Sequence, residues 1–338
     1  MREADIRPKP LLDEFFVRLR RDADRVAAKR ASFVDVSCGF CGSNDGEAAF
    51  EKHGFPYRWC RACGSLFAGP RPSPADLVEF AANSDAVAFW STHFYKETAA
   101  ARRERMFRPR ARVTADVAER HGFAGRVRVA DVGAGYGLFL LELAAIHPSW
   151  VLTAIEPDAL LATVCRGHGF GTVERWVESV GDGEFEFDLV TAFEVVEHVF
   201  DPGAFLSACK RLLRPGGLAL VTTLTISGFD LQVLGAESRS ITPPQHLNFP
   251  SVGAVSAFAA RAGLNVVDVS TPGELDIDIV RNRCLEQPTP VTDRFARTLA
   301  AADSTTREAF QRFLREHRLS SHLRCVFQRP VSEPNVER

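Results

Sequence analysis

Apolar positions along this chain change their period several times. Near the N-terminus, Leu12, Phe15, Phe16 and Leu19 recur at helical spacing among charges, which predicts an amphipathic helix over 11–30. Helical patterning returns over 75–125 and again from Asp276 to Arg318. Between them, from about residue 126, short runs of valine, alanine and leucine alternate with helical stretches. That alternation predicts an α/β core with a parallel sheet. Leu323-Arg-Cys-Val-Phe327 reads as a last strand, antiparallel to Leu264-Asn-Val-Val-Asp268. The expected organisation is an N-terminal helix (1–35), a small cysteine-bearing unit (36–69), a linker and helical lid (70–125), the core (126–275), a helical cap with the last strand (276–330) and a disordered tail (331–338).

The sharpest local signal is Val129-Ala-Asp-Val-Gly-Ala-Gly-Tyr-Gly137. An apolar run that ends in an acid and then meets alternating glycines predicts a strand turning tightly into a helix. Glycine lets the backbone bend there and lets a ligand approach without a Cβ in the way. Glu156, at the end of the next apolar run, is placed to hold the two hydroxyls of a ribose. The spacing is G-x-G-x-G at Gly133, Gly135 and Gly137, unlike the dinucleotide fingerprint G-x-G-x-x-G. Asp131 precedes the first glycine and suits a positively charged amino-acid group.

This stretch resembles motif I of the class I S-adenosylmethionine-dependent methyltransferases. Ala154-Ile-Glu-Pro-Asp158, with Glu156 and Pro157, resembles their second motif. The segment from Phe187 to Val199 resembles their fourth strand and the loop after it, and Leu213 to Thr223 the following turn and strand. All four occur in the family's order over roughly 110–270. The resemblance implies a Rossmann-like core that binds S-adenosylmethionine through Asp131, Gly133, Gly135, Tyr136, Gly137, Glu156, Pro157, Phe193 and Glu194. An aromatic segment ahead of the core, Phe89 to Tyr95, stands where the family's lid covers the cofactor, with Tyr95 and His93 as its candidates.

Cys38-Gly-Phe-Cys41 and Cys60-Arg-Ala-Cys63 form two C-x₂-C pairs about eighteen residues apart, a zinc-ribbon spacing. Four thiolates complete a tetrahedral Zn²⁺ and leave no position for water, which makes such a site structural. Two disulfides or redox pairs are the competing reading. A ribbon ahead of this core resembles bacterial methyltransferases of sugars, including deoxysugar C-methyltransferases and their relatives in polysaccharide and antibiotic clusters. In the C-methyltransferases a Tyr-His-Glu-His motif follows the fifth strand. Here Pro243 and Gln245 replace its tyrosine and glutamate, while His246 remains. A neutral amide is no base for a carbon acid, so the expected reaction is O-methylation of a hydroxyl. His246 is the expected base, with His198 and Glu197 as further catalytic candidates.

Glu194-Val-Val-Glu197-His198 also resembles a pattern in ubiquinone-pathway O-methyltransferases and small-RNA 2′-O-methyltransferases. There, with a later histidine, it holds a divalent cation. The resemblance implies Mg²⁺ at Glu194, Glu197, His198 and His246, set against a metal-free loop in which these residues only shape the turn. Arg102, Arg103, Arg105, Arg108, Arg110 and Arg112 crowd one segment. They suit either a diphosphate-bearing acceptor or a solvated helix face.

Composition narrows the partners. A net charge of −2 gives no bulk attraction to nucleic acid or an anionic membrane. No apolar run reaches spanning length and no signal-peptide core is evident, so a cytoplasmic protein is expected. The expected acceptor is a small molecule or glycan, a nucleotide- or lipid-linked sugar or another biosynthetic intermediate. A sugar C-methyltransferase, an RNA methyltransferase and a non-catalytic cofactor-binding scaffold are the competing readings. The oligomeric state is not legible.

Overall fold

The computed structural model describes residues 2–286 and 291–331. The expected tail therefore lies, apart from Val331, outside the described residues. Eleven strands are described: β1 Gly46–Lys52, β2 Phe55–Cys60, β3 Leu66–Ala68, β4 Arg128–Val132, β5 Val151–Ile155, β6 Gly171–Val173, β7 Phe187–Phe193, β8 Leu213–Leu224, β9 Asn248–Phe249, β10 Asn265–Ser270 and β11 His322–Gln328. Seven of them form one sheet in the order β10-β11-β8-β7-β4-β5-β6. β4 to β8 run parallel, and β11 lies antiparallel between β8 and β10. After Arg128, every residue of β4 is buried, as a strand covered by helices on both faces requires. Crossovers leave β4 in one direction and β7 in the other, so a crevice opens at the carboxyl ends of these two strands. Ligands bind α/β sheets at such a switch point.

Ahead of the core, helices Asp85–Phe89, Tyr95–Arg102 and Arg108–Arg120 are joined by two π-helical turns, Trp90–Phe94 and Arg103–Phe107. The helix Lys9–Ala27 buries Leu12, Phe15 and Leu19, and Phe15 packs on Trp90 with ring centroids 4.9 Å apart. Helices Asp276–Leu285, Arg294–Ala301 and Ser304–Glu316 follow the core.

The cysteine-bearing unit is joined to the core rather than tethered to it. Its β1-β2-β3 sheet takes β9 as a fourth strand, pairing Leu66 with Phe249 and Phe67 with Asn248. Buried Arg71 donates from Nε to the Ala68 carbonyl (2.7 Å) and from Nη1 to Phe200 O and Asn248 Oδ1 (both 2.9 Å). Asn248 Nδ2 in turn donates to the carbonyls of Val196 (3.2 Å) and Val199 (2.7 Å), in the loop after β7.

One buried acid pair ties the later helices to the core. Asp276 accepts from Ser321 N (2.7 Å), Ser320 Oγ (2.6 Å) and Gln311 Nε2 (2.7 Å). Asp230 is fully buried, and neither of its oxygens has a partner at hydrogen-bonding geometry. Burial, reinforced by Asp276, pushes its pKa well above the usual carboxylate range. The folded protein therefore keeps a proton that the unfolded chain releases near pH 4, and stability drains away as pH rises from there toward the raised folded value. Asp230→Asn, which needs no proton, is expected to melt several degrees higher than wild type at pH 8, with the gap closing near pH 4.5. A gap that stays constant with pH in thermal unfolding would refute this.

Candidate active site

Gly133, Gly135 and Gly137 all have positive φ (72°, 55° and 68°), so the turn from β4 into helix Leu138–Ile146 needs glycine. Their surroundings differ. A Cβ on Gly133 would lie 2.8 Å from Val195 Cγ2 and one on Gly137 3.2 Å from Cys165 Sγ, but one on Gly135 would meet nothing within 4 Å. Gly135 thus offers bare backbone to open space, the cradle that a cofactor needs. This space is a cavity of about 340 Å³ at the carboxyl ends of β4 and β7.

Asp131, Gly133, Gly135, Tyr136, Phe193, Glu194, Glu197, His198, His246 and Tyr95 all line that cavity. Asp131 is buried and accepts from Thr191 Oγ1 at 2.7 Å. Burial raises its pKa to about 7 against that bond. Tyr136 stacks on Tyr95 with centroids 4.9 Å apart, and its hydroxyl donates to the Ser91 carbonyl at 2.5 Å. The lid is therefore pinned to the glycine turn through a carbonyl of a π-helical turn, a distortion frequent at functional sites. His93 is exposed, stacks on Phe89 and does not reach the cavity.

Glu156 and Pro157 are not on the cavity wall. Glu156 Oε2 accepts from Gly135 N (2.8 Å) and Oε1 from Asp158 N (3.0 Å), so its carboxylate folds beneath the glycine turn. Burial raises its pKa. Each carboxylate oxygen accepts more than one bond, which leaves lone pairs for vicinal hydroxyls.

Beyond β7 the chain makes a strained turn. Glu194 has φ 57°, uncommon for a residue with a side chain. Its Oε1 accepts from Thr222 Oγ1 (2.7 Å) and pairs with Arg110 (3.2 Å) and His322 (3.4 Å). Burial would raise its pKa, but His322 and Arg110 outweigh it and hold the group at about 2. Three residues on, Glu197 is buried and accepts from Thr223 Oγ1 at 2.7 Å; burial, with Glu194 nearby, raises it to about 8.

The two histidines carry the clearest chemical information. His198 Nδ1 lies 2.8 Å from the Gln245 carbonyl, and His246 Nδ1 lies 2.6 Å from the Ser240 carbonyl. A carbonyl only accepts, so each Nδ1 carries the proton and each Nε2 keeps a lone pair. The rings stand 4.7 Å apart. Burial, with His198 adding, lowers His246 to about 3, so it is an unprotonated acceptor at neutral pH. Donor atoms of Glu197, His198 and His246 lie within 4.8 Å of one another. Glu194, the fourth expected ligand, is not in this group, because Arg110 and His322 hold it aside.

The four cysteines converge: their Sγ atoms lie within 4.8 Å of one another, with Cys38–Cys63 at 3.7 Å and Cys41–Cys60 at 3.4 Å. All are free thiols. The two knuckles repeat one geometry. Gly42 N donates to Cys38 O and Gly64 N to Cys60 O, both at 2.8 Å, and both glycines have positive φ. Four sulfurs about 2.3 Å from a tetrahedral Zn²⁺ would stand roughly 3.8 Å apart, so the donor set fits that ion.

Some lining residues carried no sequence signal for this role. Leu12, Phe15 and Phe16 come from the N-terminal helix, Ile279 and Asn282 from the later helices, and Arg110 from the arginine-rich segment. A stripe at helical spacing announces a buried face without saying what it faces. The remaining arginines divide. Arg103 and Arg108 pair with Glu142, and Arg105 with Asp5, so these three are spent on the protein's own acids.

Comparison with known proteins identifies the family. A family described as a methyltransferase domain matches residues 91–269, more than half of the chain. Ubiquinone biosynthesis O-methyltransferase of Xanthomonas oryzae pv. oryzae (strain PXO99A) is 38% identical over 167 residues, covering 46% of this chain and 69% of that protein. Its namesake in Xylella fastidiosa (strain 9a5c) is 36% identical over 156 residues, covering 42% and 63%. Among solved structures, a methyltransferase from Clostridium acetobutylicum aligns with 9% identity and a TM-score of 0.44, over 70% of this chain and 97% of that one. The chain belongs to the methyltransferase-domain family and is an S-adenosylmethionine-dependent methyltransferase. No helix among the described residues is long and apolar enough to cross a membrane.

Proposed function

We propose that this enzyme O-methylates a hydroxyl of a small biosynthetic intermediate, with His246 taking the proton. The supporting observation is that the glycine turn, His198 and His246 line one cavity, with each Nδ1 bonded to a carbonyl and each Nε2 left as the acceptor. The relatives' names, which specify oxygen, favour the same reaction. When bound, S-adenosylmethionine supplies an electrophilic methyl on a sulfonium. Gly135 would leave room for it, Asp131 would face its amino group, and Tyr95 and Tyr136 would flank it. Glu156, held beneath the glycine turn, would offer its remaining lone pairs to the ribose hydroxyls. Burial makes His246 a weak base at rest, so Nε2 would take the proton as methyl transfer acidifies the hydroxyl, with the Ser240 carbonyl, bonded to Nδ1, steadying the imidazolium.

Leu12, Phe15, Phe16, Leu224, Leu234 and Ile279 line the cavity, interspersed with Arg7, Arg239, Gln245, Asn282 and Arg283. The mixture suits an acceptor that carries both an apolar or planar body and polar groups. Label transfer from a methyl-labelled donor to a panel of ortho-diphenols, phenols and nucleotide sugars tests this. Transfer to the nucleotide sugars alone would restore the sugar reading, and failure of the protein to bind S-adenosylhomocysteine would sink the assignment.

A second reading rests on the Glu197–His198–His246 group. Each histidine gives its other N–H to a backbone carbonyl, the usual arrangement of a metal-bound imidazole. A divalent cation there would acidify the bound hydroxyl, although two imidazoles and one carboxylate suit a transition metal better than Mg²⁺. Chelation that abolishes transfer, restored by Mn²⁺ or Mg²⁺, would favour this reading over His246 as base.

Zinc in the ribbon would act at a distance. Tyr57 of β2 donates its hydroxyl to the His246 carbonyl at 2.7 Å, so the ribbon positions that histidine. Cys60→Ser is expected to lose the zinc, about one ion per chain, to melt lower and to lose activity with it. Full activity in a zinc-free variant would refute this role.

A further inference from the structure

Among the described residues, the cavity holds a cation in no ion pair, and the acid that acts on it, Glu194, is already engaged by Arg110 and His322. Arg102 ends the helix Tyr95–Arg102, directly before the second π-helical turn, and lines the cavity. Its Nε is buried without a hydrogen-bond partner, and among the described residues its side chain meets no carboxylate. The contrast with its neighbours is sharp, since Arg103, Arg105, Arg108 and Arg110 each pair with an acid. Arg102 is instead held by two rings, its Cζ standing 5.4 Å from the centroid of Trp90 and 5.1 Å from that of Tyr95. Burial draws its pKa down to about 10, which leaves it charged at neutral pH. Arg7 also lines the cavity; among the described residues its ion pair is a long one, 3.7 Å to Glu3, and it acts on Glu194 from a distance.

A buried charge without a counter-charge is costly in a folded protein. Aromatic faces offset part of that cost and fix the guanidinium plane, so the group waits in a set orientation. A guanidinium so held matches the planar fork of a carboxylate. Resting on the methyltransferase reading of this cavity, we propose that Arg102, with Arg7 beside it, receives a carboxylate carried by a ligand. Two sources carry one. Tyr95 joins Arg102 to Tyr136 of the glycine turn, which is the side of the cofactor's amino-acid carboxylate. Trp90 joins it to Phe15 on the acceptor wall, which is the side of an acid group on the acceptor.

Arg102→Met and Arg102→Lys separate these sources by calorimetry with two ligand pairs. The first pair is S-adenosylhomocysteine and 5′-methylthioadenosine, which lacks the amino-acid portion. The second is 3,4-dihydroxybenzoate and catechol, titrated with S-adenosylhomocysteine present. The Met variant is expected to bind the acid-bearing member of one pair about 10- to 100-fold more weakly, with its acid-free counterpart within about twofold. The Lys variant should recover part of the loss. Loss confined to S-adenosylhomocysteine assigns the site to the cofactor, and loss confined to dihydroxybenzoate assigns it to the acceptor. Unchanged ratios within both pairs, or equal losses on both members, overturn the proposal while leaving the methyltransferase assignment standing. Wild-type protein that binds no S-adenosylhomocysteine overturns both.

Discussion

His246→Ala should lower kcat by about 10²- to 10³-fold on any hydroxyl acceptor that the wild-type enzyme turns over. S-adenosylhomocysteine affinity should stay within about twofold. The two halves of this expectation have separate origins. His246 shares the cavity with the glycine turn but has no hydrogen bond to it among the described residues, and its Nδ1 is bonded to the Ser240 carbonyl. Its backbone carbonyl receives the Tyr57 hydroxyl whatever the side chain, so alanine leaves the ribbon contact in place. The variant therefore removes the Nε2 acceptor and little else. Single-turnover rates alongside calorimetry measure both halves. A variant with an undiminished rate would hand proton removal to another group, and His198, whose Nε2 is equally free, would be next to substitute.

The second large effect is expected at Glu156. Alanine there should weaken S-adenosylhomocysteine by roughly two orders of magnitude, because hydrogen bonds to a charged group are worth about 1.5–3 kcal/mol each. Two contributions add. The ribose hydroxyls lose their acceptor, and the amides of Gly135 and Asp158 lose the carboxylate that now satisfies them. The loss should be the same for 5′-methylthioadenosine, which keeps the ribose. That pattern is opposite to the one expected at Arg102, where only the acid-bearing ligand is affected. An Ala variant that binds both ligands normally would show that Glu156 serves the turn and not the nucleoside.

The core was legible because its requirements are local. Three glycines at positive φ within five residues leave few alternatives to a strand-to-helix turn, and four cysteines in two knuckles state their geometry through spacing alone. Relations between distant segments were legible at the antiparallel pair of β10 and β11 but not where the cysteine-bearing unit joins the core. β9 is only two residues long, and no periodicity can be read from Asn248–Phe249, yet it completes the ribbon sheet. Of the four expected metal ligands, three are grouped and Glu194 stands apart from them. Glu194 matches the pattern, but Arg110, 84 residues earlier, and His322, far downstream, pull its carboxylate elsewhere. The arginine cluster looked uniform in sequence. Only the positions of Glu142, Asp5 and Glu194 distinguish the neutralised members from Arg102.

The pairing of β3 with β9 also bears on how the chain is made. Synthesis runs from the N-terminus, so all four cysteines leave the ribosome well before Asn248 and Phe249 exist to close their sheet. During that interval the Leu66–Ala68 edge is unpaired, and an open edge invites strands from other chains. Early capture of metal by the two knuckles would hold the nascent unit in shape until its last strand arrives. Yield from zinc-starved cells should suffer accordingly, through aggregation during translation rather than through instability of the finished enzyme.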